Sequence, residues 1–356
     1  MKKTFIIAEA GVNHNGSLSV AKKLVKAAVD AGADAVKFQT FTADEIVCQN
    51  APKASYQNKT TQKKESQYEM LKKLELSPSD HVKIADYCRK KGILFISTPF
   101  DIKGVALLDE KIKVPFLKVA SGEITNAPLL LKIAATGRPC VLSTGICNLK
   151  EVRQALAVLA YGYAVKNTRT PHRGLIKKSC TKKAIEALKN RVTLLHCTSE
   201  YPAPIADINL RAMEALKNEF GLPVGLSDHS QGIVVPIAAV ALGAVMIEKH
   251  FTLDKSLEGP DHKASLEPSE LKAMITAIRE VELSLGDGLK KPKASEQKNR
   301  DVIRKSLVAR RQIKRGEVFS EANLTCKRPG TGISPMEYWD YIGKKASRHY
   351  QEGELI

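Results

Sequence analysis

No stretch of this chain stays apolar for the roughly 18 residues that a membrane-spanning helix needs. Its first apolar run, Phe5-Ile6-Ile7-Ala8, is cut off by Glu9. That run is too short for the core of a secretory signal, so a soluble, cytoplasmic protein with no membrane partner is expected. Aromatic residues are scarce, at 5%, and they do not interleave with the basic ones as in an RNA-binding sheet, which argues against nucleic acid as a partner. The seven cysteines contain no CxxC pair. An odd, unpatterned set in a chain this long implies reduced thiols rather than a disulfide framework, and most should be small buried hydrophobes. The dinucleotide fingerprint GxGxxG is also missing.

What is present is a chain of 356 residues with 43% hydrophobic content, ample for one large domain or a large domain plus a small one. The net charge of +18 is concentrated: 161–191 holds nine Lys/Arg against one acid, and 287–356 holds sixteen against nine. The rest is nearly balanced. This reads as solvated basic surface that helps draw in anionic substrates.

Short β-rich runs recur at 4–10, 35–40, 93–98, 116–121, 140–144, 192–198, 223–228 and 245–251. Between them lie segments with helical periodicity, such as "SVAKKLVKAAVDAG", "LKEVRQALAVLA" and "PSELKAMITAIREVELSLG". Eight such repeats within about 285 residues predict an α/β fold, a (β/α)8 TIM barrel rather than an open doubly wound sheet.

In such a barrel the active site forms at the C-terminal ends of the strands. Each run here finishes in polar groups: Glu9; Lys37 and Gln39; Ser97 and Thr98; Lys118 and Ser121; Ser143 and Thr144; His196 and Thr198; Ser227, Asp228 and His229; Glu248 and His250. A mouth so rich in lysines, hydroxyls, imidazoles and carboxylates is costly to assemble unless it binds a charged ligand. Lys118 with Ser121, Ser143 and Ser227 supplies one cation and several neutral donors, which suits a phosphate. His229 and His250 come from adjacent strands and can reach one divalent ion, Mn²⁺, Zn²⁺ or Fe²⁺. Glu9 and Glu248 are the available proton-transfer groups.

The stretches "AEAGVNHNGS", "KFQTF", "STPFD", "KVASGEITN", "LSTG", "HCTSEYPAP", "GLSDHS", "ALGAVMIEKHFT", "GPDHKASLEP" and "KRPGTGISP" resemble, in order and over nearly the whole chain, the sialic acid synthases. Those enzymes join phosphoenolpyruvate to an N-acetylated amino sugar. The resemblance implies phosphoenolpyruvate on Lys37, Thr98, Lys118, Ser121, Ser143 and Ser227, and a divalent ion, typically Mn²⁺, on His229 and His250. It implies the sugar on Gln39, Tyr201 and Asp261. The metal would polarise the sugar aldehyde while C3 of the enol attacks, and water would capture the cation at C2, releasing phosphate by C–O cleavage. Glu9 matches the carboxylate near the reacting carbons, with Glu248 the weaker candidate.

From the residues and the resemblance together, 1–285 is expected to be the catalytic barrel and 286–298 a linker marked by Gly286, Gly288 and Pro292. The remainder, 299–356, resembles the small antifreeze-like (SAF, β-clip) module that ends these synthases. The family implies a homodimer in which this module covers the partner's barrel mouth, Arg328 reaching the N-acetyl group of the sugar bound there. Two departures stand out: Ser199 replaces an amide found in some relatives, and the basic stretch 161–191 reads as an insertion at the bottom of the barrel. The alternatives are another phosphoenolpyruvate-dependent sugar-acid synthase of the superfamily, or a carbohydrate-binding relative without turnover. Within the family, both N-acetylmannosamine and a 2,4-diacetamido-trideoxy sugar remain open.

Overall fold

The computed structural model of the chain describes residues 3–61, 64–164, 174, 181, 184–185 and 188–356. Most of the basic stretch 161–191 therefore lies outside the described residues. The chain divides into two compact units, Met1–Gly286 and Asp287–Ile356.

Unit one holds eight parallel strands: β1 (Phe5–Gly11), β2 (Ala35–Thr40), β3 (Leu94–Pro99), β4 (Leu117–Val119), β5 (Cys140–Ser143), β6 (Val192–Cys197), β7 (Val224–Asp228) and β8 (Met246–His250). They are ordered β3-β2-β1-β8-β7-β6-β5-β4 by hydrogen bonding, and β3 and β4 lie side by side to complete the ring. The result is the expected (β/α)8 barrel, nearly closed. Helices return each strand to the next, beginning with α1 (Leu18–Ala31), which starts where Ser17 accepts from the Val20 N–H and stops at Gly32 with φ +85°. The longest β-to-α connection follows β2 and carries α2 (Gln67–Leu74), opened by a capping box between Ser66 and Glu69. No helix among the described residues is long and apolar enough to cross a membrane.

A two-residue period governs the barrel interior. Ile7, Ala35, Ile96, Val141, Leu195 and Met246 form a separate buried cluster with Phe5 and Phe116, the apolar floor of the barrel. Two residues further along the same strands stand Glu9, Lys37, Thr98, Lys118, Ser143, Cys197 and Glu248. On β7 the floor position is Gly225, where a Cβ would come within 2.2 Å of the Met246 carbonyl oxygen, and two residues later comes Ser227. The alternate set, including Ile6, Phe38, Phe95, Leu142, Leu226 and Ile247, faces out into the main core under the helices.

Unit two has a helix, α3 (Ala294–Ile303), and an antiparallel pair, β9 (Ser306–Ala309) with β10 (Leu324–Lys327). Its own core gathers Leu307, Ile313, Phe319, Leu324, Ala346 and Tyr350. The helix begins inside the stretch read from sequence as a linker.

Candidate active site

Thirteen of the fourteen residues expected to bind substrate, hold a metal or move a proton line one cavity of about 500 Å³ at the C-terminal ends of the strands: Glu9, Lys37, Gln39, Thr98, Lys118, Ser121, Ser143, Tyr201, Ser227, His229, Glu248, His250 and Asp261. The exception is Arg328, which belongs to unit two, where its exposed side chain donates through Nε to the Ile303 carbonyl 2.9 Å away.

The period of two also sorts the strand-end residues that the sequence listed without distinction. His196 turns outward and its Nε2 lies 2.6 Å from the Ile208 carbonyl oxygen. Ser97 shares a hydrogen bond of 2.6 Å with Thr40, and Asp228 forms a wholly buried ion pair with Lys249 at 2.5 Å. These groups support the wall of the barrel and do not line the cavity.

Two buried lysines organise the floor of the site. Lys37 Nζ is 2.8 Å from Glu9 Oε1 and donates to Thr98 Oγ1 at 2.9 Å. Lys118 Nζ donates to Ser143 Oγ at 2.7 Å and lies 3.5 Å from Glu248 Oε1, which also accepts from the Ser227 hydroxyl at 3.0 Å. Lys37 and Glu248 are 3.8 Å apart, so the four charges form one network. Such a network holds its geometry only while every charge keeps a partner.

Burial pushes Glu9 up to about 7 against the opposing Lys37 ammonium, with the Glu248 carboxylate adding repulsion. Burial also acts on Glu248, but Lys118, Lys37 and the Ser227 hydroxyl outweigh it and hold that carboxyl below the usual range. The two carboxyls are thus pushed in opposite directions, the arrangement that separates a proton carrier from a fixed anion. One oxygen of each, Glu9 Oε2 and Glu248 Oε2, is buried with no hydrogen-bond partner.

His229 and His250 face each other with ring centroids 5.4 Å apart, and the Tyr201 ring lies 4.0 Å from the first and 5.6 Å from the second. The Nδ1 of His229 is 2.7 Å from the Thr198 carbonyl oxygen and so carries a hydrogen, which leaves Nε2 as the nitrogen open to a metal in the neutral ring; burial lowers its proton affinity, but Cys197, this carbonyl and Asp228 outweigh it and hold the imidazole above the usual histidine range. His250 is held neutral, first by burial and then by His229 and the lysines; its Nδ1 is buried without a hydrogen-bond partner, 3.7 Å from Asp261 Oδ2. This donor set fits a divalent ion with two imidazole ligands. Among the described residues no group of three or more His, Cys, Asp or Glu side chains closes on one point, so the remaining positions would fall to water or substrate oxygens.

Sequence reasoning passed over Cys197, Tyr56 and the apolar side of the cavity. Cys197 was readable, since it is the inward residue two positions after Leu195. Burial pushes its thiol up, but His229, with Nδ1 3.7 Å from Sγ, and then Ser121 and Lys118 bring it down to about 7. The Tyr56 ring, from the long β2 connection, packs tilted against Tyr201 with centroids 5.0 Å apart, and nothing local in the sequence signals that. Ser199 presses on Gly145, where a Cβ would lie 2.2 Å from the Ser199 hydroxyl and 2.8 Å from that of Ser121. A glycine is therefore required there for the two hydroxyls to converge.

Behind the mouth, His14 is held down to about 3 by burial and His262 to about 4 by burial. The unfolded chain binds these protons near pH 6.5 and the folded one does not. Stability from these groups is thus complete above that pH and lost as pH falls toward 3 and 4, by about 1.4 kcal/mol per unit for each. Guanidinium unfolding at pH 7.5 and 5.5 should show this loss, and His14→Asn, which keeps an acceptor for the Gly16 N–H, should make the slope shallower. An unchanged slope would mean that His14 is not buried neutral.

The sequence matches the NeuB family over residues 24–290 and the SAF domain over residues 304–356. It is 52% identical to N,N'-diacetyllegionaminic acid synthase of Campylobacter jejuni, over 100% of this chain and 99% of that one. It is 46% identical to the protein of the same name from Legionella pneumophila, over 99% and 93%. Among solved structures, the N-acetylneuraminic acid (sialic acid) synthetase of Leptospira borgpetersenii, in complex with citrate, superposes with a TM-score of 0.66 at 34% identity, over 83% of this chain and 90% of that one.

Proposed function

Because the chain belongs to the NeuB family, we propose that it is a cytoplasmic nonulosonate synthase that condenses phosphoenolpyruvate with an N-acetylated amino sugar, with 2,4-diacetamido-2,4,6-trideoxymannose as the preferred aldose and N,N'-diacetyllegionaminate as product. One observation carries this reading: two buried lysines, each held between a carboxylate and a hydroxyl, face a pair of histidines across a single cavity. The names of the 52% and 46% identical relatives support the choice of sugar.

In this reading Lys37, Thr98, Lys118, Ser121, Ser143 and Ser227 bind phosphoenolpyruvate, so that its anionic groups replace the carboxylates as partners of the lysines. Gln39, Tyr201 and Asp261 orient the sugar with its aldehyde beside the histidine pair. His229 and His250 would hold a divalent ion, Mn²⁺ by family, which supplies Lewis acidity at the aldehyde oxygen. Glu248, kept ionised, fixes Lys118 and Ser227, while Glu9, raised toward neutrality, takes the proton of the water that enters at C2. Attack by C3 forms the new C–C bond, water adds at C2, and the C–O bond breaks to release inorganic phosphate. The test is phosphate release from phosphoenolpyruvate labelled with ¹⁸O at the bridging oxygen. The label should leave with phosphate; label retained in the product would overturn C–O cleavage, and no sugar-dependent release would overturn the function.

Residues 1–285 carry the chemistry in this reading and 299–356 form the module. We further infer a homodimer in which the module closes the partner's site through Arg328. A chain ending at Gly286 should fold but bind no sugar, and mixing it with full-length His250→Ala chains should restore activity, because the mixed dimer pairs an intact barrel with an intact module. Full activity of the truncated chain alone, or none after demonstrated subunit exchange, would exclude a lid acting in trans. The cut belongs at Gly286 rather than near Lys298, since a later one would sever α3.

A further inference from the structure

The two histidines that face the cavity are held in different ways. The His229 ring is fixed through Nδ1 by the Thr198 carbonyl at 2.7 Å, and the His229 carbonyl accepts from the Ala203 N–H at 2.9 Å. Among the described residues nothing of the kind holds the His250 Nδ1. The aim of that ring is left to packing and to the backbone of β8.

Three polar residues that do not line the cavity stand beside this pair in the chain. Asp228, Ser230 and Lys249 are all at most 2% exposed. Asp228 and Lys249 are direct partners in the β7–β8 ladder, so each histidine follows one member of that pair by a single residue. Asp228 Oδ1 accepts from the Ser230 N–H at 2.9 Å, and its Oδ2 from the Ser230 hydroxyl at 3.0 Å and from Lys249 Nζ at 2.5 Å. Lys249 also donates to the Ser230 carbonyl. The turn that carries His229 is thereby tied, before and after the histidine, to the residue that precedes His250. A wholly buried ion pair is weak evidence of stability, because apolar residues of the same volume often hold a wall as well or better. A fully satisfied polar network does something that hydrocarbon does not: it fixes directions.

We propose that Asp228, Ser230 and Lys249 form a positioning clamp that sets the spacing and aim of His229 and His250, so that both imidazoles reach one divalent ion. None of the three touches the ion or the substrates. The inference rests on the synthase reading above, in which the histidine pair holds the metal, and adds the device that keeps the pair in register. Groups that orient metal ligands in this way change metal affinity or activity by about 10- to 100-fold.

The test titrates Mn²⁺ alone into the full-length protein, stripped of metal by a chelator, with bound ion read by water-proton relaxation. Asp228→Asn/Lys249→Met removes both charges together, so that no lone charge is buried; the new amide still offers an oxygen to the Ser230 N–H, and methionine keeps most of the lysine stem. The double variant should bind Mn²⁺ at least about tenfold more weakly and melt within about 5 °C of the parent. At saturating Mn²⁺ its KM for phosphoenolpyruvate should stay within about twofold, because Lys37 and Lys118 keep their partners. A role in the wall alone gives the reverse, a lower melting point with Mn²⁺ affinity within about twofold of the parent, and that result would overturn the clamp while leaving the synthase standing. Should the double variant not fold, Asp228→Asn by itself, which keeps the shape of the side chain, should weaken Mn²⁺ binding about tenfold. Failure of both variants to fold would make the pair a requirement of the barrel and would also overturn the positioning role. A parent protein that binds no Mn²⁺ would instead overturn the histidine pair as a metal site, and this inference with it.

Discussion

His250→Ala is expected to lower kcat by on the order of 10²- to 10³-fold, the cost of losing several kcal/mol of charge stabilisation at the aldehyde oxygen. The thermal midpoint should move little. His250 is buried, but it faces the cavity and its Nδ1 has no hydrogen-bond partner, so removing the ring orphans no other group at that nitrogen. His229→Ala should be equally inactive yet less stable, by about 1–2 kcal/mol, because the Thr198 carbonyl loses the Nδ1 donor 2.7 Å away. Both variants should also bind less metal, read by elemental analysis after dialysis. Activity that survives both substitutions and is insensitive to chelators would remove the metal from the reading.

Lys118→Met should reduce kcat/KM for phosphoenolpyruvate by about 10²- to 10³-fold while leaving KM for the sugar nearly unchanged. Methionine keeps most of the stem's volume and removes the ammonium that donates to Ser143 at 2.7 Å and stands 3.5 Å from Glu248. Glu248 keeps Lys37 at 3.8 Å and the Ser227 hydroxyl at 3.0 Å, so the fold should survive with its carboxyl less strongly held ionised. Lys118→Arg serves as the control, since it restores the charge and separates lost binding from lost packing. Equal increases in both KM values would mean that Lys118 serves the cavity as a whole and not the phosphate.

The lower layers of the barrel were legible because a parallel strand buried on both faces is written as a short apolar run, and its length and spacing survive without knowledge of neighbours. Seven of the eight runs agree with the observed strands to within one residue at both ends; the fourth was read through 121, while the strand stops at Val119 and Ser121 opens a turn. That turn is what carries its hydroxyl to the Gly145 N–H at 3.0 Å. The inward alternation was available in principle: from Leu195 it selects Cys197 over His196, and from Gly225 it selects Ser227 over Asp228. Reading strand ends as a list, without that period, admitted Ser97, His196 and Asp228 alongside the groups that line the cavity.

The residue types, their strand-end positions and the eightfold repeat are properties of the sequence by itself, because they depend on local periodicity and on chemistry that each side chain carries anywhere. The opposite shifts of Glu9 and Glu248, the hydrogen on His229 Nδ1 and the apolar side of the cavity, where Phe41, Met70 and Leu74 cluster, are not. Each depends on distances between strands or loops far apart in the chain: Glu9 to Glu248 through Lys37, His229 to Thr198, and α2 to the ends of β2 and β3. A carboxyl's proton affinity is set by burial and by the charges within a few ångströms of it, and only the closed barrel brings those charges there.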